Sequence, residues 1–250
     1  MERRFGCVSC GKCCFGWLPL TMEDALNGVG RFPLAMVWTP VPQASRAFAI
    51  TERLGTAIRT RDKRKLAVRV TPTAYIPPTM PCPALSPDNL CGLQAEKPSR
   101  CRAMPFFAAF EERDQARTLI PRPGWRCDTS SSSPVVYRGE TILDRADFDA
   151  ERAALLAQAP VLRAYAERLL AQAPGLGDRL AGAAMTPGGG HVAVGFASLL
   201  RHLEPSDRGA LAATQISLLN DFADRVAGEP KGSEYQRNYG DWAWELERLT

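Results

Sequence analysis

Four of the chain's eight cysteines fall within eight consecutive positions, Cys7, Cys10, Cys13 and Cys14, in the stretch "CVSCGKCC". The other four follow at Cys82, Cys91, Cys101 and Cys127. Thiolates bind soft and borderline metals, namely zinc, copper(I) and iron in iron–sulfur clusters. A Cys-x-x-Cys loop aims two sulfurs at one centre while its backbone amides can hydrogen-bond to them. Cys7, Cys10 and Cys13 make two such steps in succession. Three thiolates at this spacing reach three corners of one cubane cluster, as in the bacterial ferredoxin run. In that run a later cysteine is followed by proline, and here Pro83 follows Cys82.

Zinc is the competing metal. All-cysteine zinc sites often use paired Cys-x-x-Cys units, and eight cysteines fill two closed sites. The second group is not paired: eight residues separate Cys82 from Cys91, nine separate Cys91 from Cys101, and twenty-five separate Cys101 from Cys127. That irregularity argues against a zinc ribbon. The two histidines, His191 and His202, lie far downstream, which argues against a mixed cysteine–histidine finger. Adjacent Cys13 and Cys14 diverge if the segment is extended. Either one ligates while the other is buried, or they serve two centres. Cys127, taken alone, also reads as a small buried hydrophobe.

Other groups are weaker. Arg100 and Arg102 flank Cys101, where they can offset thiolate charge or simply lie on the surface. Phe15 and Trp17 either shield the centre from water or belong to the core. The glycine-rich stretch Thr186–Phe196 lacks GxGxxG spacing and a P-loop Lys-Ser/Thr, and reads as a connector between helices. His191, just after its glycines, reads as a surface residue before it reads as a base. The acidic residues of "MEDALNG" have no evident partner for acid–base work.

The elements that must position these groups divide near the serine-rich stretch Thr129–Pro134. Residues 1–135 form the expected cysteine domain, and 136–250 an expected all-α region. In the first part, Thr21 and Asp24 make a variant capping box, with Gly28 as a stop, and predict a short helix. Residues 31–80 read as irregular strands, with "AFAI" and "KLAVRV" as β-friendly runs and a hairpin through "TRDKRK". A second hairpin is expected around Arg138-Gly139. In the second part, "DFDAERAALLAQA", "PVLRAYAERLLAQA" and "PSDRGALAATQISLLNDFADRVAG" read as separate amphipathic helices with prolines at their starts or edges. Trp242, Leu246 and Leu249 share one face of a last helix. The fold class is therefore α+β: an irregular cysteine-rich metal-binding domain with short helices and hairpins, then helices.

Composition sets bounds. The 250 residues are 45% hydrophobic and 23% charged, with a net charge of +4, which is ordinary globular usage. The densest basic patch, Arg59–Arg69, reads as a solvated turn, so no nucleic-acid role is expected. No apolar run approaches the ~20 residues of a membrane span, and no secretory leader is evident. A cytoplasmic setting is expected, where eight cysteines read as metal ligands before disulfides.

These motifs resemble the CxxCxxCC (YkgJ-type) family of zinc- or iron-chelating domains. The likeness rests on Cys7, Cys10, Gly11, Cys13 and Cys14, then Cys82-Pro83, Cys91, and "KPSRCRAMPF" with Pro98, Cys101, Arg102 and Pro105. That last segment usually reads RPxxCRxYPF in the family; here Lys97 replaces the first arginine and Met104 the aromatic. The resemblance is close over 7–17 and 82–107, loose between them, and does not extend to the helical part. It implies one cysteine-bound metal centre joining both groups. "CCFGW" and "LCGLQ" also resemble segments of flagellin lysine N-methylases, larger relatives understood to carry a 4Fe–4S cluster and to use S-adenosylmethionine. That likeness favours iron–sulfur over zinc, and if the chain is an enzyme it implies an S-adenosylmethionine-dependent protein methyltransferase. Three classes stay open: a redox, sensing or structural metal module, such an enzyme, or an interaction protein whose helical region binds a protein partner.

Overall fold

A computed structural model describes residues 2–203, 208–229 and 232–250. Two antiparallel sheets organise the chain. The larger has five strands: β2 (Leu18–Pro19), β3 (Leu34–Pro42), β4 (Thr56–Arg59), β5 (Lys65–Ala74) and β8 (Val192–Gly195). The smaller has three: β1 (Glu2–Arg4), β6 (Val135–Arg138) and β7 (Thr141–Ile142). The helices are α1 (Met22–Asn27), α2 (Phe48–Leu54), α3 (Ser99–Arg102), α4 (Ala146–Gln172), α5 (Pro174–Ala184), α6 (Ala197–Leu200), α7 (Arg208–Arg225) and α8 (Gly232–Glu247). The mixture is α+β.

β3 and β5 form the spine, paired from Leu34↔Ala74 to Pro42↔Leu66. Both strands are buried along nearly their whole length, without alternation. Unbroken burial is the mark of a strand covered on both faces, and here α1, α2 and α4 contact β5 while α5 contacts β3. Pro40 and Pro42 sit past Trp38, where pairing with β8 ends, so their missing N–H groups cost the sheet little. β2 and β4 pair opposite ends of β5.

Several local expectations match the structure. Thr21 caps α1 by accepting from the Asp24 amide at 3.0 Å, and Gly28 ends that helix. The "TRDKRK" hairpin is β4–β5, and Arg138-Gly139 opens the β6–β7 turn, with Gly139 and Glu140 both at positive φ. Two neighbouring positive-φ residues are what a tight hairpin turn of primed type requires.

Four expectations need correction. "AFAI" is not strand but runs into α2, where Ile50, Thr51 and Leu54 are buried at helical spacing. Pro160 does not divide two helices. It lies on the exposed face inside the single helix α4, where the carbonyl it leaves without a donor can turn to water. The stretch Thr186–Phe196 is not only a connector, because Val192–Gly195 is strand β8. The region after residue 135 is consequently not all-α. β8 from that region pairs with β3, and β1 near the N-terminus pairs with β6. The helix expected from Pro205 is α7 from Arg208; its expected start lies outside the described residues.

Two apolar cores result. The main one gathers β3, β5, α5, α7 and α8 around Trp38, Tyr165, Phe222 and Leu246. The second gathers Phe5, Ile50, Phe106, Ile142 and Phe148. Gln215 of α7, fully buried, ties the chain before β3: it accepts from Leu34 N at 2.9 Å, donates to Phe32 O at 2.8 Å, and also donates to Val29 O.

Candidate metal centre

The cysteine segment is strung between the two sheets. On its N-terminal side, β1 runs into a two-way bridge, Gly6 N to Asp128 O at 2.7 Å and Asp128 N to Gly6 O at 2.9 Å. That bridge sets Cys7 beside Cys127. On its C-terminal side, β2 joins the main sheet two residues after Gly16. Between them, Lys12–Cys14 form one 3₁₀ turn entered through Gly11 at φ 68. Only a residue without Cβ takes that conformation readily, and a Cβ there would stand 2.8 Å from Asn89 Oδ1.

The downstream cysteines meet this segment. Cys82 N donates to Cys14 O at 2.6 Å, and Phe15 bridges Pro81. Leu85 bridges Cys91, folding the 82–92 loop back on itself. Cys101 lies in α3, which is held to α1 by Ser99 N donating to Asp24 Oδ2 at 3.0 Å. Asp24 thus has a partner that its local sequence does not announce.

The electrostatics follow these neighbourhoods. The Cys14 thiol donates to the Cys13 sulfur, which lowers Cys13 to about 6; nearby Arg100 and Lys97 add to that. The same bond, then burial and the charges of Cys13, Cys82 and Cys101, raises Cys14. Burial pushes Cys101 up to about 12, reinforced by Cys82 and Cys91. Cys82 is raised by burial, opposed by a hydrogen bond from the Ala84 amide. Amides of Arg126 and Lys12 lower Cys10. Burial raises Cys127, reinforced by Cys10, Cys13 and Cys7. Crowded thiols resist joint ionisation because each negative charge raises its neighbours; a metal cation replaces their protons and removes that penalty.

Each expected residue therefore has a place. Cys14, Cys82, Cys91 and Cys101 form one neighbourhood, Cys7, Cys10 and Cys127 another, and Cys13 touches both. Among the described residues, no three histidine, cysteine, aspartate or glutamate side chains already stand where they could hold one metal ion. The donor set, soft sulfur with cationic side chains and amides around it, fits a thiolate-bound metal or cluster.

The two flanking arginines separate. Arg100 lies over the Phe107 ring at 4.6 Å, donates to Phe106 O and contacts Met104 Sδ at 3.1 Å, with its charge toward Cys101 and Cys13. Arg102 turns away to Lys97 O and to Asp147 of α4 at 3.6 Å. Phe15 is 36% exposed, with the Lys12 ammonium 5.3 Å from its ring centre, so it is not core. Trp17 donates from Nε1 to Tyr235 Oη at 2.9 Å and packs on Tyr75 at 4.9 Å and His191 at 4.2 Å. His191 thus stands against Trp17 rather than among the cysteines.

Two supporting residues escape a reading of motifs. Glu151 of α4 is 2% exposed, accepts from Ala108 N at 3.2 Å and attracts Arg100. Its signal was available: a glutamate interrupting the buried stripe Phe148, Leu155, Ala159 and Leu162. Gln115, fully buried, accepts from Phe107 N at 2.9 Å and donates to Phe107 O at 2.8 Å, holding the ring on which Arg100 rests. No family model, curated protein or solved structure matches the chain. Among the described residues, no helix is long and apolar enough to cross a membrane.

Proposed function

We propose that the chain is a cysteine-ligated metal protein of the CxxCxxCC type, holding an iron–sulfur cluster of the 4Fe–4S kind. The observation that carries the reading is the junction of Cys14 with Cys82, closed by a main-chain hydrogen bond, with Cys91 and Cys101 as neighbouring thiols. Cys14, Cys82, Cys91 and Cys101 are each half-buried and come from three separate chain segments. A cluster bound at such thiols would supply one-electron or sensing chemistry.

The chain's own residues support that role. Arg100, Lys97 and Arg31 place positive charge beside the thiols, which offsets the negative charge that four thiolates bring. The Ala84 amide donates to Cys82, a bond that stabilises ligated sulfur. α3 fixes Cys101 through Asp24, and Glu151 with Phe107 fixes Arg100.

The test is metal content in Cys14→Ser and Cys101→Ser, purified without oxygen beside the unaltered chain. Loss of iron and acid-labile sulfide together in both variants is expected. Full retention in both would overturn the assignment. Stoichiometric zinc without sulfide in the unaltered chain would replace the cluster by a structural zinc site.

A further inference from the structure

We infer that the surface around the cysteines is a docking face for an acidic protein segment with an apolar anchor, built from Val8, Phe15 and Leu90 with Lys12, Arg122 and Arg126. It stands on exposed side chains and not on the metal-binding reading.

Exposed apolar groups gather at the cysteine segments. Val8 is 50%, Phe15 36% and Leu90 53% exposed, three of the nine large hydrophobic side chains that the described residues leave in water. Val8 follows Cys7, Phe15 follows Cys14, and Leu90 precedes Cys91. Contacts between segments hold them near one another. The antiparallel Gly6–Asp128 bridge brings the chain at Val8 alongside the chain at Arg126. A Cβ on Gly11 would stand 2.8 Å from Asn89 Oδ1, so the turn that carries Leu90 lies against the segment leading to Lys12 and Phe15.

The backbone fixes two of these anchors. Among the described residues, four non-glycine residues take positive φ: Ser9, Lys63, Asn89 and Glu140. Lys63 and Glu140 belong to the β4–β5 and β6–β7 hairpins. Ser9, at φ 51, and Asn89, at φ 62, lie in neither hairpin, and they adjoin Val8 and Leu90. Such backbone is unfavourable and concentrates where function needs a set shape. Around Leu90 that shape is tied by Ser86: its amide donates to Leu90 O at 2.9 Å, and its Oγ accepts from Leu90 N at 3.2 Å.

Charge selects the occupant. Segments 7–17, 81–102 and 121–127 hold six lysines and arginines against Asp88 and Glu96, the chain's whole net charge of +4. Asp128, just beyond, is engaged by Ser130 N at 2.9 Å. Arg102 is paired with Asp147 at 3.6 Å, whereas Lys12, Arg122 and Arg126 are exposed and form no ion pair among the described residues. Lys12 and Arg122 lie over the rings of Phe15 and Trp125 at 5.3 and 5.4 Å. Unpaired cations around apolar side chains complement carboxylates around an apolar side chain. A nucleic acid fits less well, because Val8 and Leu90 give bases no ring to stack on and Asp88 in the Leu90 turn repels phosphate.

Two synthetic peptides test the face on the full-length protein as purified, one of glutamates interspersed with leucines and one with lysines in place of the glutamates. Calorimetry and tryptophan fluorescence read the binding. The glutamate peptide should bind, more weakly as salt screens exposed charges, and the lysine peptide should not. Phe15→Ser with Leu90→Ser, and separately Lys12→Glu with Arg126→Glu, should each weaken binding by about tenfold or more, with iron and sulfide content unchanged. The charge pair is fully exposed and keeps the test decisive if the apolar pair fails to fold. No binding by the unaltered chain, or equal binding by both variants, would overturn the docking face. Displacement of the peptide by a single-stranded oligonucleotide that binds more tightly would overturn it in favour of nucleic acid. Peptide binding by an unaltered chain that holds no metal would support the face while removing the proposed function.

Discussion

Asp24→Ala should loosen the cysteine site without touching a cysteine. Asp24 Oδ2 accepts from Ser99 N at 3.0 Å and from Thr21 Oγ1 at 2.8 Å, so one carboxylate links the start of α1 to the start of α3. A hydrogen bond to a charged acceptor is worth about 1.5–3 kcal/mol, and the half-exposed setting of Asp24 argues for the lower figure. Losing the reciprocal contact with Thr21 costs a further fraction of the roughly 1 kcal/mol typical of a cap. The sum is about 2 kcal/mol. For a chain of this length that corresponds to a fall in Tm of about 4–8 °C. Ser99→Pro supplies the control. It removes the donor N–H, and proline is tolerated at the first position of a helix. Pro98, at φ −51 and ψ 144, is already in the extended region that a following proline demands. Thermal unfolding of the two single variants and the double variant then closes a cycle. The double variant should lose less than the sum, by about 1.5 kcal/mol, and Asp24→Ala should release metal faster to a chelator. Additive losses within about 0.5 kcal/mol, with unchanged metal release, would refute the link between α1 and Cys101.

Gln215→Leu should leave Leu34 N–H and the carbonyls of Val29 and Phe32 unpaired in the core, costing about 3 kcal/mol and a Tm fall on the order of 6–12 °C; denaturation by heat checks it. Burial lowers both His191 and His202 below the ordinary 6.5. The unfolded chain then binds protons that the folded one refuses, so stability falls as pH drops below about 6.5 toward the folded values. His202→Gln should flatten that part of a Tm-against-pH curve. His191→Ala should leave metal content unchanged, since the ring packs on Trp17 and not on the cysteines; metal analysis decides.

The readable parts of the fold were those whose cause is local. Thr21 and Asp24 are three residues apart, and a capping box needs nothing else. Gly139 takes positive φ whatever lies around it. By contrast, β8 is four residues whose strand state comes from pairing with β3, more than 150 positions earlier. Pro160 looked like a helix stop because sequence does not say that its side of α4 faces water. "AFAI" suits a strand by residue type, and only the burial of Ile50, Thr51 and Leu54 on one face makes it helix. At the site, the cysteines announced themselves by type and spacing, as did Arg100. Their surroundings did not, because those depend on the Gly6–Asp128 bridge and on the hydrogen bond from Cys82 N to Cys14 O. Gln115, Glu151 and the Asp24–Ser99 bond belong to contacts between distant segments, and no local pattern records those.

The central claim is that these thiols hold iron and sulfide. It is tested most directly by iron, zinc and acid-labile sulfide content on protein purified without oxygen, with the visible spectrum of the same sample. Iron and sulfide in equal amounts, with a broad absorption near ~400 nm that bleaches on reduction, is the expected result for a thiolate-bound cluster. Colourless protein without iron or sulfide would contradict it.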